Sequence, residues 1–290
     1  MVTKKTYQTT GKIFEQASKL YQPGLLNELQ SIEPGEIVVV EGQYDHVEVL
    51  LKTLKVPYEQ IGIPDMGSHN SGRVMFANCA TYGNVSKDVK ESVETFIADG
   101  GRLVSTDWSI GLVTGVFPKK LNRTAKTNDD VVEIECPTDI ARRFIGMNYA
   151  QCKPQWWLEG SSDVYDIGEG VTPIITSEEM EQKYGKPYVA VGFPHGKGEV
   201  LHFISHLELQ RTRQKTKEQS GNLEDFLKKM KIEKTAEMDD ATVAELEAAY
   251  STLSTVAYLC LRTPVLNSGG KSVYFAGSKK TDGPKSMKLV

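Results

Sequence analysis

The chain is poor in the residues that build cross-links and metal frameworks. Its 290 residues include only four cysteines, Cys79, Cys136, Cys152 and Cys260, and five histidines. The cysteines lie far apart with no CxxC pair, which argues against a zinc site and offers no disulfide framework. Reduced thiols, no metal and no cofactor are the expectation. Neither sign of charge dominates: 34 basic and 38 acidic residues leave a net charge of -4, and no basic stripe is interleaved with aromatics. Nucleic acid is therefore not the expected partner. Apolar runs fall far short of the length that crosses a bilayer, and Met1 to Gln30 lacks an apolar signal core. A cytoplasmic protein with no membrane span is expected. Hydrophobic residues nevertheless make up 39% of the chain, enough to bury a large core in one α/β domain with appendages.

The stretch from Arg73 to Pro118 organises the rest. Val74-Met75-Phe76-Ala77 is a short unbroken apolar run, as expected of a parallel strand buried on both faces. Val89, Val93, Phe96 and Ile97 fall on one helical face, and Gly100-Gly101 ends that helix before Leu103-Val104 opens the next strand. Strand, helix and strand at this spacing form a βαβ crossover, so the sheet should be mainly parallel, with sites at the carboxyl ends of its strands. Two loops qualify: Asn78-Cys79-Ala80-Thr81 and Thr106-Asp107-Trp108-Ser109.

Upstream, residues 1–35 read as an N-terminal helical extension, with two amphipathic helices separated by Pro23-Gly24. Ile37 to Val40 is the strongest strand signal, and Glu41 to Asp45 is the loop at its carboxyl end, where Asp45 can cap the next helix. Tyr58 to Ile63 and Val131 to Ile134 read as strands, Thr138 to Ile145 as a short helix, and Trp156-Trp157 as extended chain. Tyr188 to Gly192 and Glu199 to Ser205 bracket a Gly-rich turn containing His195, which makes a late hairpin with His206 just beyond it. Residues 208–240 are rich in Lys, Arg and Glu and read as a charged insertion facing a partner, with Leu223, Phe226 and Leu227 forming one small apolar docking face. Residues 241–261 form a long helix that returns to the sheet, and 266–290 form a flexible tail.

This order of elements, with a strand running into a sharp elbow and a hairpin closing on a histidine, resembles the class I glutamine amidotransferase-like superfamily, which takes in the DJ-1/PfpI-type and ThuA-like proteins. The likeness covers roughly Glu36 to His206. It implies a flavodoxin-like three-layer α/β sandwich spanning 36–265, with a mainly parallel sheet and helices on both faces. In active members the elbow carries a nucleophilic cysteine between glycines, and here that place falls on Asp107 or a neighbour, with no flanking glycine. Cys79 lies one strand earlier, on the loop that supplies oxyanion-hole amides in the family. His206 falls near the family's catalytic histidine, and the carboxylate expected two residues after it is represented by Glu208.

The catalytic candidates are thus Cys79, Asp107 and His206, and the binding candidates are Asn78, Trp108, Gln43 and Tyr44. Asp107 reads as an acid–base or nucleophilic carboxylate or, more commonly for a short polar residue, as a helix cap. Cys79 reads as a thiolate activated by the helix that follows, or as a small buried hydrophobe. His206 reads as a general base or as a core histidine with one satisfied hydrogen bond. Two functions follow. The missing elbow cysteine favours a pseudoenzyme acting as a protein-interaction or assembly module, with a protein partner or a second copy of the chain. The alternative is a hydrolase of a small amide or ester, which needs Cys79, Asp107 and His206 to meet in one strand-end crevice.

Overall fold

The computed structural model describes residues 4–69, 71–83, 85–136, 155–209, 223–236, 238 and 243–266. Its centre is a seven-stranded sheet built from β1 (Ile37–Val40), β2 (Glu59–Ile61), β3 (Val74–Ala77), β4 (Arg102–Thr106), β9 (Thr172–Thr176), β10 (Tyr188–His195) and β11 (Gly198–Phe203). The spatial order is β2-β1-β3-β4-β11-β10-β9, and only β10 runs against the others. The three strands expected to be neighbours, β1, β3 and β4, are adjacent and parallel, with Val39 opposite Phe76 and Phe76 opposite Val104. All residues of β1, β3 and β4 are buried, as expected when both faces of a sheet are covered; β1 and β3 are apolar throughout, and β4 also buries Arg102, Ser105 and Thr106.

From β1 the chain passes through α3 (Val47–Leu54) to β2 on one side, and from β3 through α4 (Lys87–Ala98) to β4 on the other. Right-handed crossovers in opposite directions put α3 and α4 on opposite faces, so the fold is a flavodoxin-like α/β sandwich. Ser86 caps α4 by accepting from Val89 N–H at 3.3 Å. Val89, Val93, Phe96 and Ile97 are buried, and each contributes roughly 1.5–3 kcal/mol when fully withdrawn from water. The helix ends where Gly100 takes φ +122° and where a Cβ on Gly101 would stand 2.4 Å from the Phe96 ring.

On the α3 side, α1 (Lys4–Tyr21) and α8 (Val243–Leu259) pack on one another and on α3. Tyr7, Ile13, Phe14 and Ala17 of α1 belong to the main hydrophobic cluster, as do Leu25 and Leu29 of α2 (Pro23–Gln30). The first helices thus complete the domain's core. The short helix in the charged segment is α7 (Leu223–Met230), and its surroundings correct the docking expectation. Leu223, Phe226, Leu227 and Met230 are all buried, Phe226 packs edge-on against Tyr250 of α8 with centroids 6.2 Å apart, and Met230 O accepts from Tyr21 Oη at 3.0 Å. The apolar stripe is used within the chain because α1 and α8 leave a groove that those side chains fill.

After α5 (Ile110–Val116) come two antiparallel pairs. One joins β5 (Leu121–Lys126) to β8 (Asp163–Ile167), and the other joins β6 (Asp130–Glu133) to β7 (Gln155–Leu158). Trp156 is buried and Trp157 half-buried on the opposite face of β7. Then α6 (Glu178–Tyr184) leads into β10. At the sheet end away from the strand carboxyl termini, Arg102 and Glu199 face each other across β4 and β11 and pair at 2.6 Å while buried. Arg102 also donates to the carbonyls of Leu259, Leu261 and Thr263, and Glu199 accepts from Val265 N and Leu266 N, so the pair ties the exit of α8 to the sheet. The expected helix at 138–145, residues 210–222 of the charged stretch and the tail from 267 lie outside the described residues. No helix among the described residues is long and apolar enough to cross a membrane.

Candidate active site at the strand carboxyl ends

The chain leaves β1 toward β2 on one side and returns to β3 on the other, and this reversal of strand order opens a crevice above the carboxyl ends. Four loops meet there: 41–46 after β1, 78–81 after β3, 107–109 after β4 and 204–209 after β11. The first two are locked together. Gln43 N–H and Tyr44 N–H both donate to Cys79 O, at 2.8 and 3.2 Å, and a Cβ on Gly42 would stand 2.5 Å from Asn78 Cβ, so only glycine allows the approach.

Asp107 stands on the turn after β4 with φ +47°, a left-handed conformation that costs a residue with a Cβ roughly 1–2 kcal/mol. The expectation that its side chain caps the helix is corrected. No side chain caps α5: Ser109 Oγ instead closes the preceding turn by accepting from Thr106 N at 2.7 Å. Freed from capping, the Asp107 carboxylate points across the crevice. Cys79 Sγ donates to Asp107 Oδ2 at 3.3 Å, and His206 Nε2 lies 3.2 Å from the same oxygen. All three residues are buried, and their ligating atoms lie within 4.8 Å of one another. The His206 separation is that of an ion pair, yet neither ring nitrogen is aligned for a hydrogen bond and Asp107 Oδ1 has no partner, so charge rather than a directed bond holds this contact.

The carboxylate behind His206 is Glu159, with Oε1 3.6 Å from Nδ1 and Oε2 accepting from His206 N at 3.3 Å. Glu208, two residues beyond the histidine, was expected in that role. Instead its backbone N–H donates to Asp45 Oδ1 at 3.1 Å. Asp45 in turn does not cap α3: its carboxylate accepts from His46, Leu207 and Glu208 N–H groups and pins the His206 loop onto the β1 loop. Glu159 arrives because β7 docks on the same loop, Trp156 Nε1 donating to Ser205 Oγ at 2.8 Å and Ser205 Oγ to Trp157 O at 2.6 Å. No local motif marks Glu159. Its only sequence signal is its place at the end of the Trp156-Trp157 strand.

The electrostatics follow from burial and from crowding by carboxylates. Burial pushes the Cys79 thiol up to about 11, which favours the reading of Cys79 as a small buried residue over that of an activated thiolate. Burial also raises Glu159 to about 7, against the pull of His206, and raises Glu208 to about 7 with Asp45 adding to the effect. Burial opposes a charge on His206, but Asp107, Cys79, Asp45 and Glu159 together outweigh it and the imidazole is held well above its ordinary range. One shell further in, His202 Nδ1 meets Ser105 Oγ at 2.9 Å, and burial lowers that imidazole to about 3.

The binding candidates divide. Asn78 is buried and used locally, its Nδ2 donating to Glu48 Oε2 at 3.2 Å and its Oδ1 facing Val47 N at 3.4 Å. Gln43 contributes backbone rather than side chain to the loop junction. Tyr44 and Trp108 form an edge-to-face pair, centroids 5.3 Å apart, with Trp108 Nε1 donating to Ser161 O at 3.0 Å and Tyr44 47% exposed, so they line the rim.

No family model matches the chain, and no curated protein matches it in sequence. Among solved structures it is similar to a ThuA-like protein from Bacteroides uniformis, with 10% identity and TM-score 0.44 over 60% of this chain and 83% of that one. A GMP synthase component from Thermoplasma acidophilum matches with 14% identity and TM-score 0.44 over 62% of this chain and 88% of that one. A β-galactosidase from Bacillus circulans sp. alkalophilus matches with 14% identity and TM-score 0.40 over 59% of this chain, which spans only 28% of that enzyme. These likenesses concern the path of the chain and bear on no residue of the site.

Proposed function

We propose that the chain is a hydrolase of small amides or esters, a divergent member of the class I glutamine amidotransferase-like superfamily in which Asp107 takes the elbow place of the cysteine. The observation that carries this is the convergence of Cys79 Sγ and His206 Nε2 on Asp107 Oδ2, at 3.3 and 3.2 Å, in a crevice at the strand carboxyl ends. Burial of the α7 stripe inside the chain removes a support for the interaction-module alternative. Asp107 and His206 hold a water against the substrate carbonyl. The water oxygen bonds to the carbonyl carbon, its proton passes to the pair, and the pair protonates the departing amine or alcohol as that bond breaks. Glu159 fixes the imidazole from its other nitrogen, 3.6 Å away. Cys79 keeps its proton and orients Asp107 as a hydrogen-bond donor.

The test is turnover of a panel of p-nitrophenyl esters and p-nitroanilides by the wild type, Asp107→Asn and His206→Gln. Hydrolysis that both substitutions reduce by about 100-fold or more supports the reading. Wild-type rates in both variants, or no hydrolysis of any panel member, would overturn it.

A further inference from the structure

We propose that Cys79, Asp107 and His206 form a binding site for a divalent d-block cation, Zn2+ by preference, through Sγ, Oδ2 and Nε2. Three features point there. The first is spacing. Two ligands on a tetrahedral zinc, at bond lengths of about 2.0 Å to N or O and 2.3 Å to S, stand about 3.3–3.5 Å apart. Asp107 Oδ2 lies 3.2 Å from His206 Nε2 and 3.3 Å from Cys79 Sγ, close to those separations, and the three atoms all fall within 4.8 Å of one another.

The second feature is unsatisfied polarity. His206 and Asp107 side chains are 4% and 5% exposed, yet both His206 ring nitrogens and Asp107 Oδ1 lack an aligned hydrogen-bond partner. Buried polar atoms are seldom left so; Nδ1 is turned to Glu159, and Nε2 is the one of the three that faces the proposed site beside Asp107 Oδ2. The third is the shell behind. Glu159 Oε1 faces His206 Nδ1 at 3.6 Å, the carboxylate–histidine arrangement that turns the opposite nitrogen toward a metal.

Charge sets the class of ion. On binding, the Cys79 thiol gives up its proton, as does His206 Nε2 where it carries one, so thiolate, carboxylate and neutral imidazole cancel a double positive charge inside a buried site. A thiolate and an imidazole select against Mg2+ and Ca2+, which take oxygen donors. The three ligands come from the ends of β3 and β4 and the loop after β11, which is why cysteine spacing along the chain argued against a zinc site: the ligands are neighbours only in the fold. The consequence rests on the hydrolase reading; the binding itself does not. Three protein ligands leave a fourth position for water, and activation of that water would then pass from the Asp107–His206 pair to the metal.

Chelator-stripped full-length protein is titrated with Zn2+ against a chromophoric indicator, and with Co2+ in the spectrophotometer. Expected are one equivalent of either ion, a thiolate-to-cobalt charge-transfer band and the intense visible bands of tetrahedral cobalt. Cys79→Ser should abolish the charge-transfer band, whereas Cys260→Ser, at a buried thiol elsewhere, leaves it. Asp107→Asn and His206→Gln should weaken Zn2+ binding by more than about 100-fold, and Glu159→Gln by about 10–100-fold. Wild-type protein that binds neither ion, or that shows octahedral cobalt without the charge-transfer band, overturns the proposal even if a variant fails to fold. The two readings fail separately. Hydrolysis that survives chelation but is lost in Asp107→Asn contradicts the metal alone, whereas a stoichiometric metal with no hydrolysis contradicts the hydrolase alone.

Discussion

Asp107 Oδ2 lies 3.2 Å from His206 Nε2, and the backbone that puts it there sits at φ +47°. A left-handed residue with a Cβ persists when the surrounding structure holds it, and such positions cluster at functional sites. Substitution by glycine should relieve the backbone while removing the carboxylate. In urea unfolding, Asp107→Gly should therefore be more stable than Asp107→Ala by about 1 kcal/mol. An alanine variant as stable as the glycine variant would contradict the strain.

Glutamine should not be hydrolysed by way of a cysteine thiolate, because Asp107 stands on the elbow and burial pushes the Cys79 thiol, tied to Asp107 at 3.3 Å, up to about 11. Ammonia release from glutamine is the assay, and none above background is expected. Release that disappears in Cys79→Ala would show that the thiol one strand earlier is the nucleophile.

Helix α7 should behave as core. Phe226 is fully buried against Tyr250, so Phe226→Ala should cost about 3–5 kcal/mol in denaturant unfolding. Replacement of the segment by a flexible linker should likewise lower the thermal midpoint. An unchanged midpoint would return the apolar stripe to the role of a docking face.

The buried pair Arg102–Glu199 should be costly to break from one side. Glu199→Gln leaves the guanidinium without its charged partner and weakens the acceptors of Val265 N and Leu266 N, for a loss of about 3–5 kcal/mol. Limited proteolysis should then cut first between residues 259 and 266. Wild-type resistance there would show that the pair does not hold the exit of α8.

His202 sets a pH dependence of stability. Burial lowers its folded value to about 3, against an ordinary value near 6.5, so between those limits the unfolded chain binds a proton that the fold does not. Its contribution to stability is thus full above about pH 6.5 and is lost as pH falls toward 3. On acidification from pH 7 to pH 4 the wild-type thermal midpoint should drop further than that of His202→Gln. Equal drops would contradict the assignment.

What was legible in the sequence follows from the range of the forces. β1 and β3 announce themselves because a doubly covered parallel strand is apolar, and β4, with only Leu103 and Val104 apolar, is found from the crossover through α4 that leads into it. Cys79, Asp107 and His206 could be picked out because the carboxyl ends of such strands gather in one place. Glu159 could not: it reaches His206 by the docking of β7 on Ser205, a contact between chain positions almost 50 apart that no local pattern encodes. Asp45 and Asp107 misled for one reason. A short acid before a helix is ordinarily its cap, and here both carboxylates are recruited across the crevice by partners distant in sequence. The stripe of α7 misled because it lies in a stretch rich in lysine and glutamate, although burial depends on its four apolar side chains alone.

The central claim is that the carboxylate on the elbow performs the chemistry of this crevice. It is tested most directly by initial rates for the best ester or anilide of the panel, measured side by side for the wild type, Asp107→Asn and Cys79→Ala, with circular dichroism confirming that each is folded. In chelator-stripped protein the account predicts a fall of about 100-fold or more for Asp107→Asn and a much smaller one for Cys79→Ala. Wild-type turnover in Asp107→Asn, with activity lost in Cys79→Ala, would contradict it.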